Sequence, residues 1–97
     1  MKKHFFGFEY WDGKNTTTGN GFRGRYSSAG TAYCFTSKKA RDEWVEEGYQ
    51  SRGGREACTK AELEYHFRGM TPDQRYEALQ ILIDEAECSE NGESSLK

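Results

Sequence analysis

Few side chains in this sequence carry the chemistry of a reactive centre. The imidazoles are His4 and His66, and the thiols are Cys34, Cys58 and Cys88. A nucleophilic thiol or hydroxyl needs a base beside it and a third group to orient that base. Neither histidine has such companions at a recognisable spacing, and His66, between Tyr65 and Phe67, reads as a half-buried surface residue. No Cys-x-x-Cys pair occurs, so zinc would have to recruit His4 or His66 across long loops. Three cysteines far apart do not form a disulfide framework. Cys34 is expected in the core and the other two as unpaired thiols. The glycine-rich stretch 48–54, with Arg52 and Arg55 close by, has neither the Walker spacing nor the dinucleotide fingerprint. The expectation is therefore no catalytic residue, no metal, no cofactor and no small-molecule substrate.

The remaining chemistry is electrostatic, and it is unevenly divided. Residues 1–41 hold eight Lys and Arg against Glu9 and Asp12, a balance of +6. Residues 42–97 hold fourteen acids against six bases, a balance of −8, so the net −2 conceals a polar molecule. Summed like charges set a field that reaches beyond any single contact, and such a division points to a charged partner. The acids fall in helix-forming stretches: Asp42, Glu43, Glu46 and Glu47 in one, Asp73, Glu77, Asp84 and Glu87 in another. Carboxylates spread over packed helices can offer a field comparable to duplex DNA, whose phosphates bring one charge per about 1.7 Å of axis. The basic half offers the alternative of a small nucleic-acid-binding accessory protein. There Arg23 and Arg25 would share one strand face of an aromatic sheet that stacks bases. The basic–Gly–aromatic–Gly–aromatic strand signature of ribonucleoprotein domains is absent.

These residues need a scaffold, and 97 residues build one domain, since domains hold roughly 50–250. Hydrophobic residues make up only 34% but aromatics 14%, so the core must rest on large rings. No run of apolar residues is long enough for a membrane span, and Glu9 and Asp12 interrupt any secretory signal; a cytoplasmic protein is expected. Residues 4–11 alternate as a strand, with His4, Phe6, Phe8 and Tyr10 on one face and Phe5, Gly7, Glu9 and Trp11 on the other. Asp12-Gly13 signals a turn into a polar loop over 14–21. Further strands are expected over 22–26 and 31–36, giving an antiparallel meander. Ser37 caps a helix over 38–47 that Gly48 stops, with Ala40, Trp44 and Val45 as its apolar stripe. Thr59-Lys60-Ala61-Glu62 and Thr71-Pro72-Asp73-Gln74 are capping boxes that open two more helices. The last of these runs to about Cys88 with Tyr76, Leu79, Leu82, Ile83 and Ala86 on its buried face. The fold expected is α+β: an antiparallel sheet of about three strands packed against three helices, one domain over 1–88, and a polar, flexible tail over 89–97.

The stretch 35–48, an aromatic strand end, Ser37 and a helix bearing Arg41-Asp42-Glu43-Trp44-Val45, is followed by Arg55-Glu56-Ala57-Cys58-Thr59. This pattern, over about a quarter of the chain, resembles one in small proteins of phages and mobile elements. Size, charge and the lack of catalytic residues also look like the anti-CRISPR proteins, especially inhibitors of the type I-F surveillance complex. The resemblance implies a non-enzymatic inhibitor that imitates DNA and occupies a basic DNA-gripping surface on a host Cas protein. With a net charge of only −2, the C-terminal half alone would do the imitating.

An acidic mimic and a nucleic-acid binder behave oppositely toward DNA. The purified protein is expected to give no mobility shift with duplex DNA or RNA at physiological salt. A shift lost on Arg23→Ala with Arg25→Ala, and falling steeply with salt, would favour the basic half instead.

Overall fold

The run Phe-Phe-Gly-Phe-Glu-Tyr becomes strand β1, Phe5–Tyr10, at the centre of the molecule. The computed structural model describes residues 3–10, 30–48 and 54–96; no helix among them is long and apolar enough to cross a membrane. After β1 come β2 (Gly30–Phe35), α1 (Lys38–Glu47), β3 (Arg55–Cys58), α2 (Lys60–His66), α3 (Pro72–Cys88) and β4 (Glu93–Leu96). The strands form one antiparallel sheet in the order β3-β1-β2-β4, and the architecture is α+β. The expected turn at Asp12-Gly13, the strand over 22–26 and the loop residues 49–53 lie outside the described residues.

Strand alternation directs the two faces of β1 to different helices, as its side-chain period of two requires. Phe6 and Phe8 are buried with Ala32 and Cys34 of β2 against Leu63 of α2 and Leu79, Leu82 and Ala86 of α3. The opposite face carries Phe5, Gly7 and Glu9, and there α1 is seated by Trp44. Helices thus cover both faces, α1 on one and the α2–α3 pair on the other. Trp44 touches Tyr33 and Phe35, with ring centroids 4.6 and 5.4 Å away. It reaches the sheet because residue 7 has no side chain: a Cβ there would sit 2.5 Å from the indole Cζ3.

Caps and an arginine hold the helices in place. Ser37 accepts from the Ala40 amide, and both expected capping boxes are closed, Thr59 with Glu62 and Thr71 with Gln74. Each such cap is worth on the order of 1 kcal/mol. Arg55 of β3 donates to the Trp44 carbonyl at 2.7 Å and to Glu9 at 3.1 Å, and its guanidinium lies 4.7 Å from the Trp44 ring. One side chain thereby ties the end of α1 to two strands.

Two edge strands were not expected, and the sheet is no meander. Residues 93–96 belonged to a tail read as flexible, but Glu93–Leu96 pairs with β2 as β4. Gly92, at φ 66°, turns the chain out of α3, and its carbonyl accepts from Thr36 at 2.9 Å. Ser94 is buried and donates to Glu85 of α3 at 2.6 Å. Residues 55–58 likewise pair with β1 as β3. Both strands are polar, and neither shows β-propensity; partners on a neighbouring strand and helix supply what composition lacks. Tyr76, expected on the buried face of α3, is 68% exposed, and its place in the core is taken by Ala78.

The Gly7–Trp44 contact gives a test of the α1 face. Gly7→Ala is expected to destabilise by about 1–3 kcal/mol, as overpacking does. Combined with Trp44→Leu, the losses should add to less than their sum in urea titrations, because the shorter side chain vacates the space.

Candidate functional site

The eight acids singled out by the sequence do not form one surface. Asp42, Glu43, Glu46 and Glu47 ride on α1, while Asp73, Glu77, Asp84 and Glu87 ride on α3, across the sheet. Two of them are engaged at the surface by neighbouring side chains. Asp42 accepts from Arg41 at 2.8 Å and Lys38 at 3.0 Å, and these hydrogen bonds, Arg41's foremost, hold its carboxyl below the usual carboxylate range. Glu87 is hydrogen-bonded to His4 at 2.6 Å. Arg41 and Asp42, neighbours in the chain, are therefore ion-paired.

What remains on α3 is a ridge. Asp73, Glu77 and Asp84 follow one another at steps of four and seven residues, all exposed, over about 16 Å of helix axis. Among the described residues none of the three has an ion-pair partner. Helix physics rewards one of the three: Asp73 lies in the first turn, where an acid suits the helix dipole. Like charges four apart repel by about 0.2–0.5 kcal/mol. Asp84 stands just before the last turn of α3, which holds no basic residue to pair with it.

Beside the ridge runs a groove between α2 and α3 that sequence reasoning missed. Tyr65 and Tyr76 stand on it, 63% and 68% exposed. Arg68 lies 4.3 Å from the Tyr65 ring, and Lys60, Glu64, Arg75 and Ile83 are among the other residues that line the groove. Tyr65 flanking His66 was visible in the sequence, but only the packing of Leu63 and Phe67 shows which side of α2 turns outward.

A second constellation assembles where β3 meets α2. Register pairs Phe8 with Glu56 and Phe6 with Cys58, so both β3 side chains share the face that looks at α2. His66, one helix further on, lays its ring flat on Phe8 at 4.0 Å. Tyr10 donates to Glu56 at 2.5 Å and lies 3.4 Å from His66 Nε2. Burial, then the bond to Glu56, pushes the Tyr10 phenol well above its ordinary range. Burial pushes the His66 imidazole down, with Glu56 opposing. One ligand atom from each of Glu56, Cys58 and His66 lies within 4.8 Å of the others. These are residues for which no metal spacing was recognised. The signal lay in Glu56-x-Cys58, which shares a face only if 55–58 is a strand. His4 stays apart, with Glu87.

Arg23 and Arg25, the alternative nucleic-acid contacts, lie outside the described residues. No family model, curated protein or solved structure matches this chain.

The three thiols differ in ways a reagent can count. Cys34 and Cys58 are buried and Cys88 is exposed. Burial pushes the Cys34 thiol up to about 12. At pH 8 only about one Cys34 in ten thousand is then thiolate, the reactive form. The native protein is expected to release one fast equivalent with a disulfide reagent, lost in Cys88→Ser, and the other two thiols only in denaturant. Two fast equivalents would contradict the burial of Cys34 or Cys58.

Proposed function

We propose that the protein is a non-enzymatic inhibitor that docks the outer side of α3 on a basic, nucleic-acid-gripping surface of another protein. The observation that carries this reading is the ridge of Asp73, Glu77 and Asp84, exposed and without ion-pair partners among the described residues. Asp73 suits the N-terminal end of α3, but Glu77 and Asp84 have no ion-pair partner among the described residues, and Glu77 stands four residues from a like charge, which leaves the row free to meet a basic partner. Tyr65 and Tyr76 beside them are side chains of the kind that anchor protein interfaces. The narrower identity follows the resemblance in sequence: an anti-CRISPR protein that blocks target DNA binding by a Cas surveillance complex in the cytoplasm of a host bacterium. The acids on α1 face the other way and take no part in this contact.

Charge reversal on the ridge tests the reading without touching the core. Glu77 and Asp84 avoid Leu79 and Leu82, so Glu77→Lys with Asp84→Lys should change stability by only about 0.5 kcal/mol. In cells carrying a type I-F system, the wild-type protein is expected to restore plaquing of a targeted phage, and the double variant to lose that protection. With the purified complex, the wild type should prevent the target-DNA mobility shift, with slower association as salt rises. No protection by the wild type would remove the anti-CRISPR assignment. Equal protection by wild type and a folded double variant would remove the ridge.

A further inference from the structure

We propose that Glu56, Cys58 and His66 form a binding site for a divalent transition-metal ion, zinc foremost, which fastens edge strand β3 to helix α2. The donor set is the first reason. A thiolate, an imidazole and a carboxylate are the three side-chain types that bind zinc, and a thiolate disfavours magnesium and calcium. Distance is the second. Zinc takes nitrogen and oxygen at about 2.0–2.2 Å and sulfur at about 2.3 Å, which sets tetrahedral ligands about 3.3–3.8 Å apart. The three donors already lie within 4.8 Å of one another, so closing on an ion needs shifts of about 1 Å.

Their surroundings are those of a positioned site. The β3 register holds Glu56 and Cys58 two residues apart on one face. Stacking on Phe8, with the ring planes 1° apart, sets the plane of His66. Tyr10 donates its hydroxyl to Glu56 at 2.5 Å, the kind of outer hydrogen bond that orients a ligating carboxylate. On binding, Cys58 gives its thiol proton to solvent and coordinates as thiolate. With the Glu56 carboxylate, its charge balances the two charges of the ion. Water takes the fourth position, since the described residues supply three ligands. The consequence is mechanical. β3 is a four-residue edge strand with a polar sequence, and the ion would add a cross-link from its end to α2.

Cobalt(II) and zinc(II), added alone to reduced, chelator-treated full-length protein, test the site. One Co²⁺ per chain is expected, with the near-ultraviolet band of a cobalt thiolate, bleached by Zn²⁺, and a melting temperature that rises with zinc. Cys88→Ser should keep the band and Cys58→Ser should lose it. Glu56→Gln and His66→Gln should weaken zinc by more than about 100-fold, beyond the 10–100-fold of an outer-shell change, and Tyr10→Phe by about 10-fold. No band, or a band lost with Cys88 and kept without Cys58, would overturn the proposal. If Cys58→Ser fails to fold by circular dichroism, Glu56→Gln decides, because it preserves volume: unchanged zinc affinity there would also overturn the site.

Discussion

Strand β1 has to satisfy helices on both of its faces, and the rest of the molecule follows from how it does so. One face offers Phe6 and Phe8 to α2 and α3, and the other offers the gap at Gly7 to Trp44. A chain with only 34% hydrophobic residues could not build two aliphatic cores. It builds one mixed core under α2 and α3, where the phenylalanines are completed by leucine, alanine and cysteine. A single indole closes the other side. Gly7 sits at the crossing, where the absence of a side chain on one face permits the large ring that α1 depends on. Arg55 then secures the arrangement from β3, bonding the Trp44 carbonyl while its guanidinium stacks on the indole.

The same register decides which polar side chains meet. Because Phe8 pairs with Glu56 and Phe6 with Cys58, the groups that face α2 are a carboxylate and a thiol rather than Arg55 and Ala57. A slip of one residue would exchange them. His66 completes that group only because Leu63 and Phe67 set the rotation of α2. The Glu56–Cys58–His66 constellation and the α1 anchor are thus two outcomes of one strand pairing, expressed on opposite faces.

Electrostatics is divided by the same sheet. The acids of α1 and those of α3 cannot act together, since four strands stand between them. Asp42 and Glu87 are further drawn into contacts with Arg41, Lys38 and His4. A surface of eight acids becomes a ridge of three, with Tyr65 and Tyr76 as its neighbours. That is a smaller feature than charge counting implies, but a more specific one.

Local rules sufficed for much of this protein. Alternation assigned the faces of β1, Ser37, Thr59 and Thr71 marked the three helix starts, and Gly48 marked the stop of α1. These features are legible because a cap or a period is settled by residues within a turn of each other. β3 and β4 were illegible because Arg-Glu-Ala-Cys and Glu-Ser-Ser-Leu become strands only by bonding to β1 and β2. Tyr76 was misplaced because the buried face of α3 runs through Ala78, Leu79, Leu82 and Ala86, which packing against the sheet decides. The sequence by itself determined where helices begin, which side of the central strand is aromatic and how charge divides along the chain. Only the tertiary structure decided that Glu56, Cys58 and His66 meet and that the acidic helices look away from each other. Those relations join residues that are distant in sequence, and long-range strand pairing and packing alone set the distances between them.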